Sequence, residues 1–370
     1  MVTSKDQSDE EQKVPHVCVI GAGVCGLVSV KICLETGLRV TCYDKSAKYG
    51  GLWNYRPDEK DSSGPFEPSV MRTTILNTSK ELSSFSDFPP PAKLANFMRH
   101  NHYMDYISSY VHHFQLLPHI HLEQEILHCA PSWRPTAATS GLDEEHEIKW
   151  TVSVRDLKSQ EVRTEIYDRL MVAVGHHNIP YQPSYPNQKR FKGEIVHSAR
   201  LKSILSNEKF VDKNVLVIGF GNSACDAAND IAMVANKCYV SCHRGQWFTS
   251  RYLKDGPYDF RIKSRAHHYL TKCLPTSLID RAFIDRLEQR VNHKMLGLKP
   301  KHRPSEQVPA INDLFPYRIY TGGIVLKGSV KSFTELGVVF EGEEQEEQPL
   351  MWWCWPLVTR RKFPSSTSWA

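Results

Sequence analysis

Near its beginning the chain reads Val17-Cys18-Val19-Ile20-Gly21-Ala22-Gly23-Val24-Cys25-Gly26. Apolar, β-prone residues run into a Gly-x-Gly-x-x-Gly turn. A helical segment, 27–35, follows, and a second apolar run, 40–43, ends in Asp44. This order predicts a dinucleotide site, in which the phosphates lie on the helix N-terminus and Asp44 binds a ribose hydroxyl. Gly21 permits the turn, Gly23 lets the backbone approach the pyrophosphate, and Gly26 lets helix and strand pack closely. The alternative is an ordinary strand-to-helix turn.

A second motif of the same kind lies in the later half of the chain. The apolar run 215–218 leads into Gly219-Phe220-Gly221-Asn222-Ser223-Ala224, a helical segment and another strand, 239–242. This strand is followed by His243 and Arg244 instead of an acid. A carboxylate suits a free ribose 2′-hydroxyl, whereas an arginine suits a 2′-phosphate. The pair of motifs therefore predicts two different dinucleotides, and FAD and NADPH are the natural pair. Gly219, Gly221, Asn222, Ser223 and Arg244 are the predicted NADPH contacts.

Length and composition restrict the class of protein. A chain of 370 residues is long enough for about two domains with real cores. Its net charge of +5 is mild and comes without a basic run, which argues against nucleic acid as a partner. The ten cysteines are scattered through apolar segments, so free thiols are favoured over disulfides. Cys238 and Cys242 have metal-like spacing, but we interpret them as strand residues and expect no metal site.

Several segments between the two motifs have predictable local structure. Gly50-Gly51-Leu52-Trp53 is a loop in which a flat ring or a phosphate can lie against the backbone, or a plain turn. The polar stretch 77–90 is a functional loop or plain surface. The pattern predicts a helix over 103–114, strands over 122–170 with a charged hairpin from His146 to Glu165, and a proline-rich linker over 180–186.

From about residue 14 to 347, the chain resembles the flavin-containing monooxygenases. The segments that carry the resemblance are GAGVCG at Gly21, GGLW at Gly50, NTSKELSSFSDFP at Asn77, FKGEIVHSARL at Phe191, GFGNSACD at Gly219 and MLGLKPKHR at Met295. The resemblance implies that NADPH reduces FAD and that a flavin hydroperoxide then oxygenates a soft nucleophile. The partners so implied are dioxygen and a small amine or sulfur compound. It also implies a location at the endoplasmic reticulum membrane.

The resemblance also implies roles for particular residues. Asn77 matches the family asparagine close to the flavin and is the predicted catalytic residue, as a neutral donor to the peroxide or to NADP⁺. Gly50, Leu52, Trp53 and Thr78 are expected to contact FAD with the first motif. His197 is expected to be a structural hydrogen-bonding residue near NADP⁺. Leu201 departs from the family pattern, which has an aromatic residue there.

The predicted fold is α/β, with two Rossmann-like dinucleotide-binding domains and the NADP domain inserted into the FAD domain. Residues 1–13 are expected to be a loose tail, 14–178 the first part of the FAD domain and 179–323 the inserted NADP domain. Residues 324–348 are expected to return to the FAD domain, and 349–370 to form an aberrant tail.

The last segment does not fit the family. Met351-Trp352-Trp353-Cys354-Trp355-Pro356 stands where the family has a strand ending in Ala-Thr-Gly-Tyr. Read in a shifted frame, its codons force Val-Val-Val-Leu-Ala, so one hypothesis is an out-of-frame ending; a genuine alternative exon is the other. We expect a tryptophan-rich tail without strand partners. Membrane association is expected only through the part that this tail replaces, so the chain itself is expected to lack an anchor and to be cytoplasmic.

Two other functions remain open at this point. A flavin- and NADPH-dependent disulfide reductase would need a redox cysteine pair, and the sequence has no Cys-x-x-Cys. The other is a truncated product that binds nucleotides without catalysis. Retention of FAD by the isolated chain separates the monooxygenase from this product.

Overall fold

The computed structural model describes residues 14–57, 68–135, 146–177, 179–205, 207–254, 256–343, 347–350 and 352–355. The strands are β1 His16–Ile20, β2 Arg39–Tyr43, β3 Ile120–His121, β4 Gln124–Pro135, β5 His146–Asp156, β6 Val162–Tyr167, β7 Arg169–Val172, β8 Glu194–His197, β9 Asn214–Ile218, β10 Lys237–Ser241, β11 Phe248–Thr249, β12 Tyr252–Leu253, β13 Gly256–Pro257, β14 Ala310–Ile311, β15 Ile324–Lys327, β16 Val330–Phe333, β17 Gly337–Phe340, β18 Gln348–Pro349 and β19 Trp352–Trp355. The α-helices are α1 Val24–Glu35, α2 His100–His113, α3 Asn222–Ile231, α4 Tyr258–Ile262, α5 Arg265–Cys273, α6 Thr276–Glu288 and α7 Phe315–Tyr320. None of these helices is long and apolar enough to cross a bilayer.

The described residues divide into two compact units, and the first comprises 14–51 and 107–175. Its centre is a parallel sheet with the strand order β3-β2-β1-β7. β1 pairs in register with β2 on one side and with β7 on the other. Cys18 and Val19 are fully buried in this central strand. Burial on both faces explains why the strand is a continuous apolar run rather than an alternating one.

An antiparallel sheet of β4, β5 and β6 completes the first unit. Cys18 and Tyr43 of the parallel sheet pack in one core cluster with Val152, Val154 and Tyr167 of the hairpin. The phenol oxygens of Tyr43 and Tyr167 lie 2.9 Å apart in that core. The hairpin predicted from the sequence is therefore confirmed as a sheet that covers part of the parallel sheet.

The second unit comprises 52–106 and the described residues from 176 onward. Its main sheet is parallel, with the order β15-β10-β9-β19-β8. Alternate residues of β9 serve two cores: Val215 and Val217 pack with α3, and Leu216 packs with Val338 and Phe340. The sheet is thus covered on both faces, as in a doubly wound α/β fold.

Two α/β units with parallel sheets confirm the predicted fold class, but the chain is divided differently from the predicted domain bounds. Residues 52–106, predicted to lie in the FAD domain, belong to the second unit. Residues 324–327, predicted to begin the return to the FAD domain, form β15 and pair with β10, with Tyr239 opposite Val325. β15 is an apolar run that pairs with the backbone donors and acceptors at the edge of β10. The sequence alone did not reveal that this edge was open.

The prediction that the tail lacks strand partners is wrong. β19 lies between β8 and β9 and runs parallel to both, with Trp353 opposite Ile195 and Leu216. Two neighbouring strands offer unpaired backbone groups, and tryptophan is well suited to strands, so the segment completes the sheet. Residues 1–13 and 356–370 lie outside the described residues.

Candidate functional site

The first glycine turn connects β1 to α1. Gly21 has a φ of +102°, and its N–H donates to Tyr43 O over 2.7 Å. A Cβ at Gly21 would lie 2.6 Å from Ala173 O. A Cβ at Gly26 would lie only 1.7 Å from Gly21 O. Both positions therefore exclude any side chain, which gives a physical reason for the first and third glycines of the motif.

A second glycine loop packs against this turn. Gly50 N donates to Ala22 O over 2.9 Å, and a Cβ on Gly51 would lie 3.1 Å from Gly23 Cα. The backbone of one loop therefore rests directly on the backbone of the other. Such backbone-lined surfaces let a phosphate or a flat ring approach closely.

Leu52 and Trp53, also predicted as flavin contacts, continue this loop as a 3₁₀ turn, Gly51–Trp53. Leu52 O accepts a hydrogen bond from Val70 N over 3.0 Å. The ring of Trp53 meets that of Tyr103 edge to face, with centroids 4.7 Å apart. Both side chains are half-buried, so the turn is held in place by packing.

Asp44 stands at the end of β2, as predicted. Its Oδ2 accepts from Ala22 N over 2.6 Å, and its Oδ1 accepts from Ser46 N over 2.8 Å. The carboxylate thus holds the middle of the glycine turn. Each carboxylate oxygen can accept a further hydrogen bond, so this arrangement is compatible with a ribose hydroxyl.

The second glycine turn, between β9 and α3, repeats the geometry of the first. Gly219 has a φ of +121°, and its N–H donates to Ser241 O at the end of the neighbouring strand. Gly221 and Gly23 precede their helices with nearly the same extended backbone angles. Among the described residues no side chain caps either helix, and neither first turn contains an acid. Both helix N-termini therefore present free N–H groups to an anion.

The charge of the residues that follow β2 and β10 differs between the two units. His243 and Arg244 follow β10, and both side chains are exposed. His243 Nδ1 lies 2.6 Å from Ser329 Oγ. Asp44 directly follows β2, whereas Arg244 is the third residue after β10, and its exposed guanidinium is available to a phosphate.

Asn222 and Ser223 begin α3, where they were predicted to contact NADPH. The Asn222 Oδ1 atom accepts from Ile311 N over 3.0 Å, which ties the helix start to β14. Ser223 is half-buried and Gly221 is exposed, with no atom within 4 Å of a Cβ placed there. The open space at Gly221 fits the close approach of a nucleotide.

The predicted catalytic residue, Asn77, belongs to a loop that is fixed from several sides. Its carbonyl oxygen accepts from the Tyr258 hydroxyl over 3.0 Å, and its Oδ1 accepts from Arg251 Nη2 over 2.9 Å. The next residue, Thr78, has its Oγ1 2.6 Å from Ser83 Oγ. Burial raises the pKa of Tyr258 to about 12, so the phenol stays protonated and keeps donating. The loop is therefore rigid where the asparagine stands.

Two further contacts hold the same loop. The fully buried carboxylate of Asp259 accepts from Ser79 N over 2.6 Å. Lys80 Nζ donates to the carbonyl oxygens of Ala92 and Leu94. The polar stretch that the sequence left open between function and surface is thus a constrained loop rather than a free one.

The helix of the second glycine turn carries an acid that the sequence analysis missed. Asp226 is half-buried, and burial raises its pKa to about 6, although Arg251 and the Asn312 side chain favour its charged form. Asn312 Nδ2 donates to Asp226 Oδ1 over 2.9 Å. Arg251, Tyr258 and Asn312 lie far from Asn77 and Asp226 in sequence, so no spacing rule could have identified them.

His197 makes local hydrogen bonds. Its Nδ1 accepts from Ala199 N over 3.1 Å, and burial lowers its pKa. Leu201, where the family pattern has an aromatic residue, is buried in the core that includes Val217. An aliphatic residue there fills core volume.

The cysteines whose side chains the structure describes form no disulfide. Cys18 and Cys42 are free and buried, and burial raises the pKa of Cys18 to about 12. Within the described ranges no group of three or more histidine, cysteine, aspartate or glutamate side chains could hold a metal ion.

Comparison with known proteins identifies the family. The model of the flavin-binding monooxygenase-like family matches residues 14–350. The chain belongs to this family. Flavin-containing monooxygenase 5 of Cavia porcellus is 37% identical over 338 residues, which are 90% of this chain and 60% of that protein. Dimethylaniline monooxygenase [N-oxide-forming] 2 of Mus musculus is 35% identical, over 90% of this chain and 59% of that protein. The chain thus spans about 60% of the length of these relatives.

Solved structures share the fold. S-allyl-L-cysteine S-oxygenase from Allium sativum matches with a TM-score of 0.61 and 20% identity, over 95% of this chain and 64% of that one. Oxidized steroid monooxygenase bound to NADP matches with a TM-score of 0.65 and 17% identity, over 94% of this chain and 72% of that one. The resemblance inferred from the sequence motifs is therefore confirmed at the level of family and fold.

Proposed function

We propose that this protein is a monooxygenase that uses FAD and NADPH to oxygenate soft nucleophiles, the amine nitrogen or sulfur atoms of small molecules. The proposal rests mainly on one observation: the glycine turn occurs twice, with an acidic side chain beside one copy and a basic side chain beside the other. Both turns have the same backbone geometry and an uncapped helix, but one adjoins Asp44 and the other Arg244. A carboxylate favours a free ribose hydroxyl and an arginine favours a 2′-phosphate, as in FAD and NADPH respectively.

In the first unit the chain's task is to hold FAD. Gly21, Gly23 and Gly26 expose backbone to the pyrophosphate, α1 directs its N–H groups at the phosphates, and Asp44 accepts from the ribose. Gly50 adds a second glycine loop beside this turn, and we propose Leu52 and Trp53, which follow it in the chain, as further FAD contacts. The steric exclusion of any Cβ at Gly21 and Gly26 supports this assignment, because it keeps the surface of the turn free of side chains.

In the second unit the chain's task is to hold the nicotinamide nucleotide. Gly219 and Gly221 form the corresponding turn, Ser223 lies on the first turn of α3, and Arg244 binds the 2′-phosphate. Asn222 contributes by holding the helix start to β14 through its carboxamide oxygen. Selectivity for NADPH over NADH then depends mainly on Arg244.

Catalysis needs little acid–base chemistry from side chains. When bound, reduced flavin supplies the electrons that activate dioxygen. The chain contributes position, exclusion of water and a neutral hydrogen-bond donor, for which we propose Asn77. Its carboxamide oxygen already accepts from Arg251, which leaves the amide N–H₂ group to donate to a cofactor atom or to NADP⁺.

The relatives support both nucleophile types. The garlic structure is named as an S-oxygenase and the mouse relative as N-oxide-forming. We extend these two chemistries to this chain as its substrate class, with the endoplasmic reticulum membrane as its expected location. Cell fractionation would test the location.

The test of function is an assay of the full chain with both cofactors. NADPH consumption is followed with a thioether and with a tertiary amine, and the sulfoxide and N-oxide are quantified. Arg244→Ala is the matched control, because it should need roughly tenfold or more NADPH for the same turnover and keep FAD. Bound FAD with NADPH consumption but neither product would refute the substrate class. A chain that takes up no FAD would refute the function itself and favour a nucleotide-binding product without catalysis.

A further inference from the structure

The carboxamide of Asn77 can adopt two orientations, and the contact with Arg251 selects one of them. An asparagine carboxamide has an acceptor oxygen and a donor nitrogen of almost the same shape. A guanidinium group carries only donors. Since Arg251 Nη2 lies 2.9 Å from the Asn77 side chain, the atom that faces it has to be the oxygen, Oδ1. The N–H₂ group is then directed away from Arg251 and presented as a donor.

Arg251 is itself held with little freedom. Its side chain is 11% exposed, its Nε donates to Leu76 O over 3.0 Å, and its Nη2 also lies 3.3 Å from Ile75 O. Nη1 pairs with Asp313 Oδ2 over 2.9 Å, and the Arg251 backbone N–H donates to Asp313 Oδ1 over 3.0 Å. A fork with each arm tied to a different acceptor cannot rotate, so it imposes one orientation on the carboxamide.

Asp313, one of the acceptors of Arg251, lies in a segment that also contacts α3. Ile311 N donates to Asn222, Asn312 Nδ2 donates to Asp226, and Asp313 pairs with Arg251. Three consecutive residues thus connect the start of α3 to the arginine that faces Asn77. The guanidinium is therefore placed by the same framework that places the second glycine turn.

We propose that Arg251 is a positioning residue for Asn77, which fixes the carboxamide with its oxygen inward and its N–H₂ group outward. This inference rests on the proposed function, in which that N–H₂ group donates to the bound cofactor or to NADP⁺. Without the guanidinium the carboxamide can rotate, and the donor is replaced by an acceptor for part of the time.

The direct test observes the Asn77 side chain without any cofactor. Protein labelled with ¹⁵N-asparagine gives side-chain N–H₂ signals, and Asn77→Ala identifies the pair that belongs to Asn77. Arg251→Met should shift or broaden that pair. Lys202→Met is the matched control, because Lys202 is a buried cation of the same unit and its Nζ donates to Ser69 O. It should leave the pair unchanged. An unchanged pair in Arg251→Met would overturn the proposal.

A second test uses the flavin-loaded chain. Arg251→Met should raise the share of consumed NADPH that ends as hydrogen peroxide by about tenfold, the value of one hydrogen bond to a charged group. The double variant with Asn77→Ala should be no worse than Asn77→Ala alone, because the arginine acts through the asparagine. Additive effects would mean that Arg251 acts independently, against the proposal.

Two further variants cover the case in which Arg251→Met does not fold. Arg251→Lys keeps the charge but cannot reach all the acceptors at once, and Asp313→Asn removes one arm of the fork. Each should shift the Asn77 signals in the cofactor-free protein, and intact signals in both would contradict the inference. If the chain takes up no FAD, the proposed function fails, whereas these cofactor-free spectra still decide the role of Arg251.

Discussion

Gly26→Ala tests the geometry of the first turn. Helix propensity predicts that alanine raises the free energy of unfolding, whereas the tertiary contact predicts that it lowers it. Gly26 lies in α1, where alanine is ordinarily more stable than glycine by about 0.8–1.0 kcal/mol. A Cβ there, however, would lie 1.7 Å from Gly21 O, whereas real Cβ atoms essentially never approach closer than 3.0 Å. The helix and the turn would have to separate by roughly 1 Å or more, and overpacking of this kind costs about 1–3 kcal/mol.

The upper end of that range is expected here, because the clashing atom belongs to the backbone and cannot move to another rotamer. With an unfolding entropy of about 2.1 cal/mol/K per residue, a loss of about 3 kcal/mol lowers the thermal midpoint of a 370-residue chain by about 4 °C. Separation of the turn from α1 also distorts the proposed pyrophosphate cradle, so the variant should lose FAD. The assay compares the thermal midpoint and the released flavin of variant and parent under identical expression.

Gly37→Ala is the matched control in the same unit. Gly37 has a φ of +75°, and no atom lies within 4 Å of a Cβ placed there. It should therefore show only the strain of a left-handed residue, about 1–2 kcal/mol, and retain its flavin. A Gly26→Ala protein with an unchanged or raised midpoint and normal flavin content would refute the steric account of the turn.

Three other predictions concern the charged and polar groups. Arg244→Ala should weaken NADPH binding roughly tenfold or more and leave NADH binding unchanged, as measured by titration; equal losses would show that Arg244 does not contact the 2′-phosphate. Asn77→Asp should keep FAD, because the new carboxylate can pair with Arg251, but release more hydrogen peroxide per NADPH consumed. If the variant released no more hydrogen peroxide per NADPH than the parent, Asn77 would not act as the donor. The pKa of Asp226 in the folded state, about 6, exceeds the usual aspartate value of about 3.8, so the folded state binds the proton more tightly, and stability should fall as pH rises from about 4 to 6. Asp226→Asn should remove at most about 3 kcal/mol of this dependence, seen as a flatter plot of urea midpoint against pH; an unchanged slope would contradict the assignment.

The sequence was most informative where one short segment contains the whole feature. The two glycine turns, their strands and helices, and the contrast between Asp44 and Arg244 all lie within about thirty residues each, and spacing alone predicts them. The structure adds the reason for the glycines, since the carbonyl oxygens of Ala173 and Gly21 leave no room for a Cβ.

Features made by distant segments could not be predicted. Arg251 and Asn77 are 174 positions apart, and nothing in the sequence marks the arginine as its neighbour. Asn222 matches a cofactor position in the motif, but its carboxamide oxygen accepts from Ile311 N, a contact that depends on how β14 folds back. The partners of β15 and β19 were missed for the same reason, because strand pairing depends on which sheet edge is open and not on the strand's own residues.

The central claim is that one chain holds FAD beside Asp44 and NADPH beside Arg244. The most direct measurement mixes the purified full chain anaerobically with NADPH or with NADH and follows the absorbance of the bound flavin. The account predicts a chain that purifies with FAD, whose flavin is bleached much faster by NADPH than by NADH. A chain without flavin, or a flavin that both nucleotides reduce at the same rate, would contradict it.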